Sequence, residues 1–277
     1  MENLFDRELY VARLARTGAT RPDIISTSVA AELGERLEPI SRIFNNACLI
    51  AVDAGPIARA LLASGKVKAL RIIEPGISET FPLEPETYDA IFNVFDLHLV
   101  NDVPGALIQS RRALLPDGLF MACLFASQTL TELRQSWLEA EEGITGGVSP
   151  RIIPMIDVRE LGGLLQRAEL ALPVGDLDRT IVRYPDAIAL IQEIRALGLS
   201  NPMTGRSRKA VTRNLLGEVI SIYQQKFSDA DGRVRATIEV AWATAWAPHE
   251  NQQKPLKPGS AKFRLADALK VPETKLN

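Results

Sequence analysis

Ala47-Cys48-Leu49-Ile50-Ala51-Val52-Asp53-Ala54-Gly55-Pro56-Ile57 is the stretch that decides the fold. Its first half is a short unbroken apolar run ending in an acid. Strands read this way when a parallel sheet buries them on both faces. Pro56 lacks a backbone N–H and has φ preset near the helical value, so it is expected to open a helix over 57–64 that Gly65 ends. A buried strand delivered straight into a helix is the building unit of a doubly wound α/β sheet.

Working outward, the alternation continues. A second strand is expected over 67–73, ending at Glu74-Pro75-Gly76, and a third over 88–95. A helix over 104–115, the turn Leu115-Pro116-Asp117-Gly118 and a buried strand over 119–125 follow. Next come a helix over 129–142, the loop Gly146-Gly147-Val148-Ser149-Pro150, a helix over 157–168 and a strand over 172–182. Over 185–228 the spacing of Ile188, Ile191, Ile194 and Leu197, then of Leu215, Val219, Ile222 and Phe227, predicts a helical insertion above the sheet. Asp229-Ala230-Asp231-Gly232 turns the chain into a last strand over 235–246. Upstream, 5–38 is helical with a break at Thr17-Gly18-Ala19-Thr20-Arg21-Pro22. The expected organisation is an N-terminal helical segment over 1–45, an α/β domain over 46–250 and a loosely held tail over 251–277.

Composition narrows the class. The 277 residues are 46% hydrophobic and 24% charged, enough to bury a sizeable core, and the net charge of −2 gives no footprint for nucleic acid. Cys48 and Cys123 each sit in an apolar run, so two buried thiols in a reducing cytoplasm are expected rather than a disulfide. Met1-Glu2-Asn3-Leu4-Phe5-Asp6-Arg7 has no apolar core, so no secretory signal is expected. No apolar run is long enough to span a bilayer, and any membrane contact would be peripheral.

Specific motifs begin at Leu97-His98-Leu99-Val100-Asn101-Asp102-Val103-Pro104-Gly105-Ala106-Leu107. With Leu115-Pro116-Asp117-Gly118-Leu119-Phe120, this segment resembles the class I S-adenosylmethionine methyltransferases. Within them the chain resembles the subfamily that holds the biotin-pathway malonyl-thioester methyltransferase and a mitochondrial complex I assembly factor. The likeness to the latter is closer. It runs through Leu4-Phe5-Asp6-Arg7, Thr129-Leu130-Thr131-Glu132-Leu133-Arg134, Gly146-Gly147-Val148-Ser149-Pro150-Arg151, Val182-Arg183-Tyr184-Pro185-Asp186, the stretch 198–201, Trp246, His249 and Gly259-Ser260-Ala261. The resemblance implies a Rossmann-like sheet and a link to arginine hydroxylation on a respiratory complex I subunit.

The chain departs from that family at the cofactor site. The family carries Asp-x-Gly-x-Gly-x-Gly after the first strand, where backbone N–H groups approach the ligand. Here Asp53-Ala54-Gly55 runs directly into Pro56, which suits a tight strand-to-helix turn. Glu74 can occupy the place of the second acid, which grips the ribose. Only thirteen residues, Pro75 to Thr87, then separate it from Tyr88. A further helix and strand would need on the order of 30 residues. The cofactor-side edge of the sheet is therefore expected to be truncated, with 67–73 at or near that edge.

Other chemistry is sparse. His98 and His249 are the two histidines, with no His-x-Asp pair, and His98 more simply caps a strand tip or bonds to backbone, so no metal is expected. Leu138-Glu139-Ala140-Glu141-Glu142 reads first as a solvated helix end and second as a lip that could recognise arginine. Trp242 and Trp246 read as core.

Two functions from different classes follow. The first is a methyltransferase-like pseudoenzyme without a cofactor, acting as an assembly or binding factor for a protein partner such as an arginine-bearing complex I subunit. Its candidate contacts are His98, Glu141, Glu142, Trp246 and His249. The second is a working methyltransferase or arginine hydroxylase with an atypical site, in which Asp53, Gly55, Glu74 and Asp96 would hold S-adenosylmethionine. On either reading the cavity is expected at the carboxyl ends of the strands, near Asp53, Glu74, Asp96 and His98, framed by the family-like segments including Trp246 and His249.

Overall fold

The computed structural model describes residues 3–17 and 24–253, with the single positions 260, 267 and 270 beyond them. The parallel strands are β1 (Ala47–Ala51), β2 (Leu70–Ile73), β3 (Tyr88–Val94) and β4 (Leu114–Phe125). Two long antiparallel strands, β5 (Ala171–Tyr184) and β6 (Val234–Trp246), complete one six-stranded sheet in the order β2-β1-β3-β4-β6-β5. Every residue of β1 is buried, as its unbroken apolar run requires.

Helices cover both faces. On one, α4 (Val103–Ala113) and α6 (Val158–Arg167) bring Leu107, Leu161 and Leu165 against Ile50, Ile91 and Phe120. On the other, α2 (Ile24–Leu37) and α3 (Ala54–Ala63) bring Leu33, Leu37, Ile57 and Leu61 against Leu49, Phe92, Met121 and Trp242. The β5–β6 ribbon runs past the carboxyl tip of β4: Phe125 pairs with Val240, while Tyr184 and Val234 pair further out. Between those two strands the chain inserts α7 (Ala187–Ala196) and α8 (Arg213–Phe227), which pack with α5 (Thr131–Thr145) on the overhang. The insertion is thus held over the carboxyl ends of the parallel strands.

The truncated edge is present. β2 is the outermost strand on its side, and 74–87 contains neither helix nor strand. Its Phe81 is buried in the core, and Gln109 of α4 serves the link in both directions. The Phe81 N–H donates to Gln109 Oε1 at 2.9 Å, and Gln109 Nε2 donates to the Glu79 carbonyl at 3.1 Å.

Two local expectations need correction. α3 starts at Ala54, so Gly55 and Pro56 lie inside its first turn rather than before it. A first helical turn has no intrahelical partners for its N–H groups, and proline costs little there. Leu115-Pro116-Asp117-Gly118 is a bulge within β4, where pairing jumps from Tyr88–Leu114 to Ala90–Leu119. Asp117 takes a left-handed φ of 62°, and its carboxylate pairs with Arg42 at 2.8 Å. The expected helix break after Thr17 lies, beyond that residue, outside the described residues, as does most of the expected tail, including Gly259 and Ala261.

The N-terminal arm, residues 3–6 with α1 (Arg7–Thr17), crosses the strand tips and binds the far end of the insertion. Asp6 N–H donates to the Pro202 carbonyl and Thr204 N–H to the Leu4 carbonyl, each at 2.9 Å. Arg13 reaches the carbonyls of Ser200 (2.9 Å) and Asn201 (2.6 Å). Phe5, Tyr10 and Leu14 join Leu99, Ile153 and Met203 in a small core. Gly198, at φ 74°, lies so close to Leu14 that a Cβ would come within 2.5 Å of Leu14 Cδ2.

Candidate functional site at the carboxyl ends of the strands

The four residues expected at the strand tips fare differently. Asp53 is half-buried at the N-cap of α3 and makes no side-chain capping bond. Gly55 is exposed, and a Cβ on it would meet only Arg59 Nη1, at an ordinary 3.5 Å. Glu74 is exposed at the end of β2. Asp96, after β3, is fully buried and paired with Arg7 at 3.3 Å. Burial pushes the Asp96 carboxyl above its usual value, while Arg7 pulls it down. The same guanidinium donates to the carbonyls of Leu99 (3.2 Å) and Gly76 (2.7 Å), stitching the tip of β2 to that of β3. The sequence signalled Arg7 only as part of Leu4-Phe5-Asp6-Arg7, without a role.

The crevice beside Asp53 holds about 40 Å³, between Ile25 and Ser26 of α2 and Leu197 and Leu199 of the insertion. Small-molecule sites run from roughly 300 Å³ upward. The residues present therefore fit an adenosine-bearing cofactor poorly: little room, an exposed Glu74, and Gly55 and Pro56 wound into a helix in place of a loop offering N–H groups.

A second and larger cleft, of about 200 Å³, lies alongside it under the insertion. Its walls come from α5 (Leu133, Trp137), α7 (Leu190, Ile191, Ile194) and the 151–155 segment, with Phe125 and His98 from the strand tips. His98, in the short 3-10 turn after Asp96, packs edge-on to Phe125 with ring centres 5.2 Å apart. Burial pushes its imidazole down to about 3, with Arg7 adding to the effect, so the ring is neutral. Both of these clefts lie at the carboxyl ends of the strands, near Asp53 and His98, while a wider depression of about 360 Å³ lies by Leu114 and Pro116 at the amino end of β4.

The remaining candidates do not share one surface. Glu141 is 4% exposed and spends its carboxylate on Arg151 and on Ser149 N (2.8 Å) and Oγ (2.9 Å). Glu139 pairs with Lys226, and Glu142 is exposed. Trp246 and His249 do not frame the mouth. Trp246 pairs with Leu119, at the amino end of β4, because β6 runs antiparallel to it. Arg42 lies 5.7 Å over the Trp246 ring, and His249 Nδ1 accepts the Asn251 N–H at 3.2 Å. Among the described residues no three His, Cys, Asp or Glu side chains are grouped to hold a metal, and no helix is long and apolar enough to cross a membrane.

Comparison with known proteins agrees with this architecture. The family described as "Methyltransferase domain" matches residues 29–122. Arginine-hydroxylase NDUFAF5, mitochondrial, of Rattus norvegicus is 31% identical over 98% of this chain and 85% of its own length. The Danio rerio protein of the same name is 34% identical over 70% of the chain, a match spanning 60% of that relative. Malonyl-[acyl-carrier protein] O-methyltransferase of Laribacter hongkongensis is 29% identical over 72% of the chain and 65% of its own length. Among solved structures, the YcgJ protein from Bacillus subtilis superposes with a TM-score of 0.52 at 12% identity, over 79% of this chain and 98% of that one, a likeness of fold. The chain belongs to the class I S-adenosylmethionine methyltransferase superfamily and, within it, to the NDUFAF5 family.

Proposed function

We propose that this protein is a methyltransferase-fold binding factor that works without S-adenosylmethionine, its former cofactor crevice taken up by its own chain. One observation carries this reading: the space beside Asp53 is about 40 Å³, closed by Ile25, Ser26, Leu197 and Leu199. The thirteen-residue link after Glu74 supports it, since the chain that would flank the adenine is absent. The partner is a protein. The family resemblance points to an arginine-bearing subunit of a respiratory complex, and the relatives' name of arginine-hydroxylase is in keeping with it. Its docking face is the carboxyl-end surface under the insertion, and the exposed Glu142 of α5 is a further candidate contact. Glu141 serves the fold, and Trp246 and His249 belong to the opposite end. A compartment that keeps thiols reduced suits the buried, unpaired Cys48 and Cys123.

The test is calorimetric titration of the intact protein with S-adenosylmethionine, paired with Asp53→Ala in a pull-down of the partner subunit. No saturable heat is expected, and Asp53→Ala should bind the partner as wild type does. Saturable binding lost in Asp53→Ala would replace this reading with that of a working enzyme.

A further inference from the structure

We infer that the open edge of β2 is an interface between two copies of this chain, paired antiparallel about a two-fold axis at Arg71. The short 75–87 link leaves β2 without an outer neighbour. On its inner side the Ala69 carbonyl accepts the Ala47 N–H at 2.9 Å, and alternate residues of a parallel strand serve opposite sides. Leu70 and Ile72 therefore turn their N–H and C=O groups away from β1, where no other strand lies among the described residues. An edge of this kind is a template for a further strand. It is also accessible: Ile72 is 48% exposed, and Lys68, Arg71 and Glu74 are exposed around it.

Charge and parity select both the occupant and its register. Residues directly opposite in an antiparallel pair share a face, so a strand meeting its own copy sets only positions of equal parity against each other. With the axis at Arg71, Lys68 meets the second copy's Glu74 and Leu70 meets its Ile72, each pair occurring twice. Neither Lys68 nor Glu74 has an ion-pair partner among the described residues. On one chain they stand six positions apart, about 20 Å of extended backbone, too far to pair with each other. The two Arg71 side chains flank the axis but are drawn inward: Nη1 donates to Tyr88 Oη at 2.6 Å and lies 3.7 Å from Glu84. Moving the axis to Leu70 or Ile72 sets Lys68 against Ile72 or Gly76 and loses the match. The opposite edge of the sheet, β5, has no such register. Its acids, Asp176 and Asp178, hold even positions and its arginines, Arg179 and Arg183, odd ones. So short a strand makes a modest contact, and the dimer should be transient and concentration-dependent. None of this depends on whether S-adenosylmethionine binds beside Asp53.

The experiment is sedimentation of the full chain from about 1 to about 500 µM, with hydrogen exchange at both ends of that range. Wild type should pass from monomer to dimer, and exchange of 70–74 should slow only in the dimer. Ile72→Pro removes an outward N–H while sparing the ladder to β1, and should weaken association about tenfold or more. Lys68→Glu and Glu74→Lys should each associate about tenfold more weakly than wild type, since each sets like charges opposite twice. Their equimolar mixture should recover dimerisation, because one copy then presents two acids to the other's two lysines. Recovery would also show that both variants fold. A monomer throughout, a dimer indifferent to Ile72→Pro, or a mixture no tighter than its components would each overturn the interface.

Discussion

Glu141 holds the 146–151 loop onto the end of α5 through Ser149 N, Ser149 Oγ and the Arg151 guanidinium. Burial works to raise its carboxyl, but the bonds from Arg151 and Ser149 win and hold it below the ordinary value. The stabilisation is thus present above the unfolded carboxylate range and lost as pH falls through the lower folded value. His98 acts earlier in the titration: its folded value, pushed down to about 3 by burial, lies below that of the unfolded imidazole. Its contribution is complete above about pH 6.5 and declines as the unfolded chain takes up the proton the native ring refuses. Urea melts should therefore separate the two windows. His98→Phe should flatten the fall in stability between about pH 6.5 and 4.5, and Glu141→Gln should cost about 2–4 kcal/mol near pH 7 and progressively less below about pH 4. Gly55 gives a third outcome at this scale. With room for a Cβ inside α3, Gly55→Ala should change stability by no more than about 1 kcal/mol, in the stabilising direction, and leave partner capture intact. Loss of function in a stable Gly55→Ala protein would point to a ligand against that backbone.

The cap of α4 shows what an element asks of one residue. Asp102 Oδ1 accepts the Gly105 N–H at 2.8 Å, and a methyl on Gly105 would sit 2.2 Å from Asp102 Oδ2. Gly105→Ala must swing the carboxylate away, so it should cost about 1 kcal/mol in thermal or urea denaturation, the worth of an N-cap. Asp102→Ala should cost the same, and the double variant little more, since both remove one interaction. Elements of this kind were legible because their signals are local. β1 announced itself by five consecutive apolar residues, and the truncated edge by chain length alone. Where two local signals competed, the reading slipped. Pro116 and Gly118 looked like a turn but form a bulge, because β4 continues its pairing with β3 on either side of them. Arg7, Leu197 and Leu199 could not be found this way. Each acquires its role only when segments about 90 or more residues apart meet over the strand tips, as the Arg7–Asp96 pair does across 89 positions.

At the scale of the molecule, two chain segments foreign to the sheet close its carboxyl end: the N-terminal arm and the insertion's 197–206 stretch. They are zipped to each other by Asp6, Arg13 and Thr204, and to the strand tips by Arg7. Closure of this kind could hide an intact cofactor site or stand where one has been lost, and opening the zipper separates these cases. Arg7→Ala leaves Asp96 buried without its cation and should cost about 3–5 kcal/mol, so the milder Arg13→Ala is the better key. It removes bonds to two carbonyls, and in hydrogen exchange it should raise opening of 197–206 and α7 while β1, β3 and β4 keep wild-type protection. The opened protein should still give no saturable heat with S-adenosylmethionine, because Gly55 remains wound into α3 and the 74–87 link still carries no strand or helix. If Arg13→Ala gained cofactor binding, the arm and insertion would be a lid over a working crevice, and the binding-factor reading would give way to regulated catalysis. If exchange rose across β1 and β3 as well, the arm would be part of the fold's own core rather than a closure laid over it.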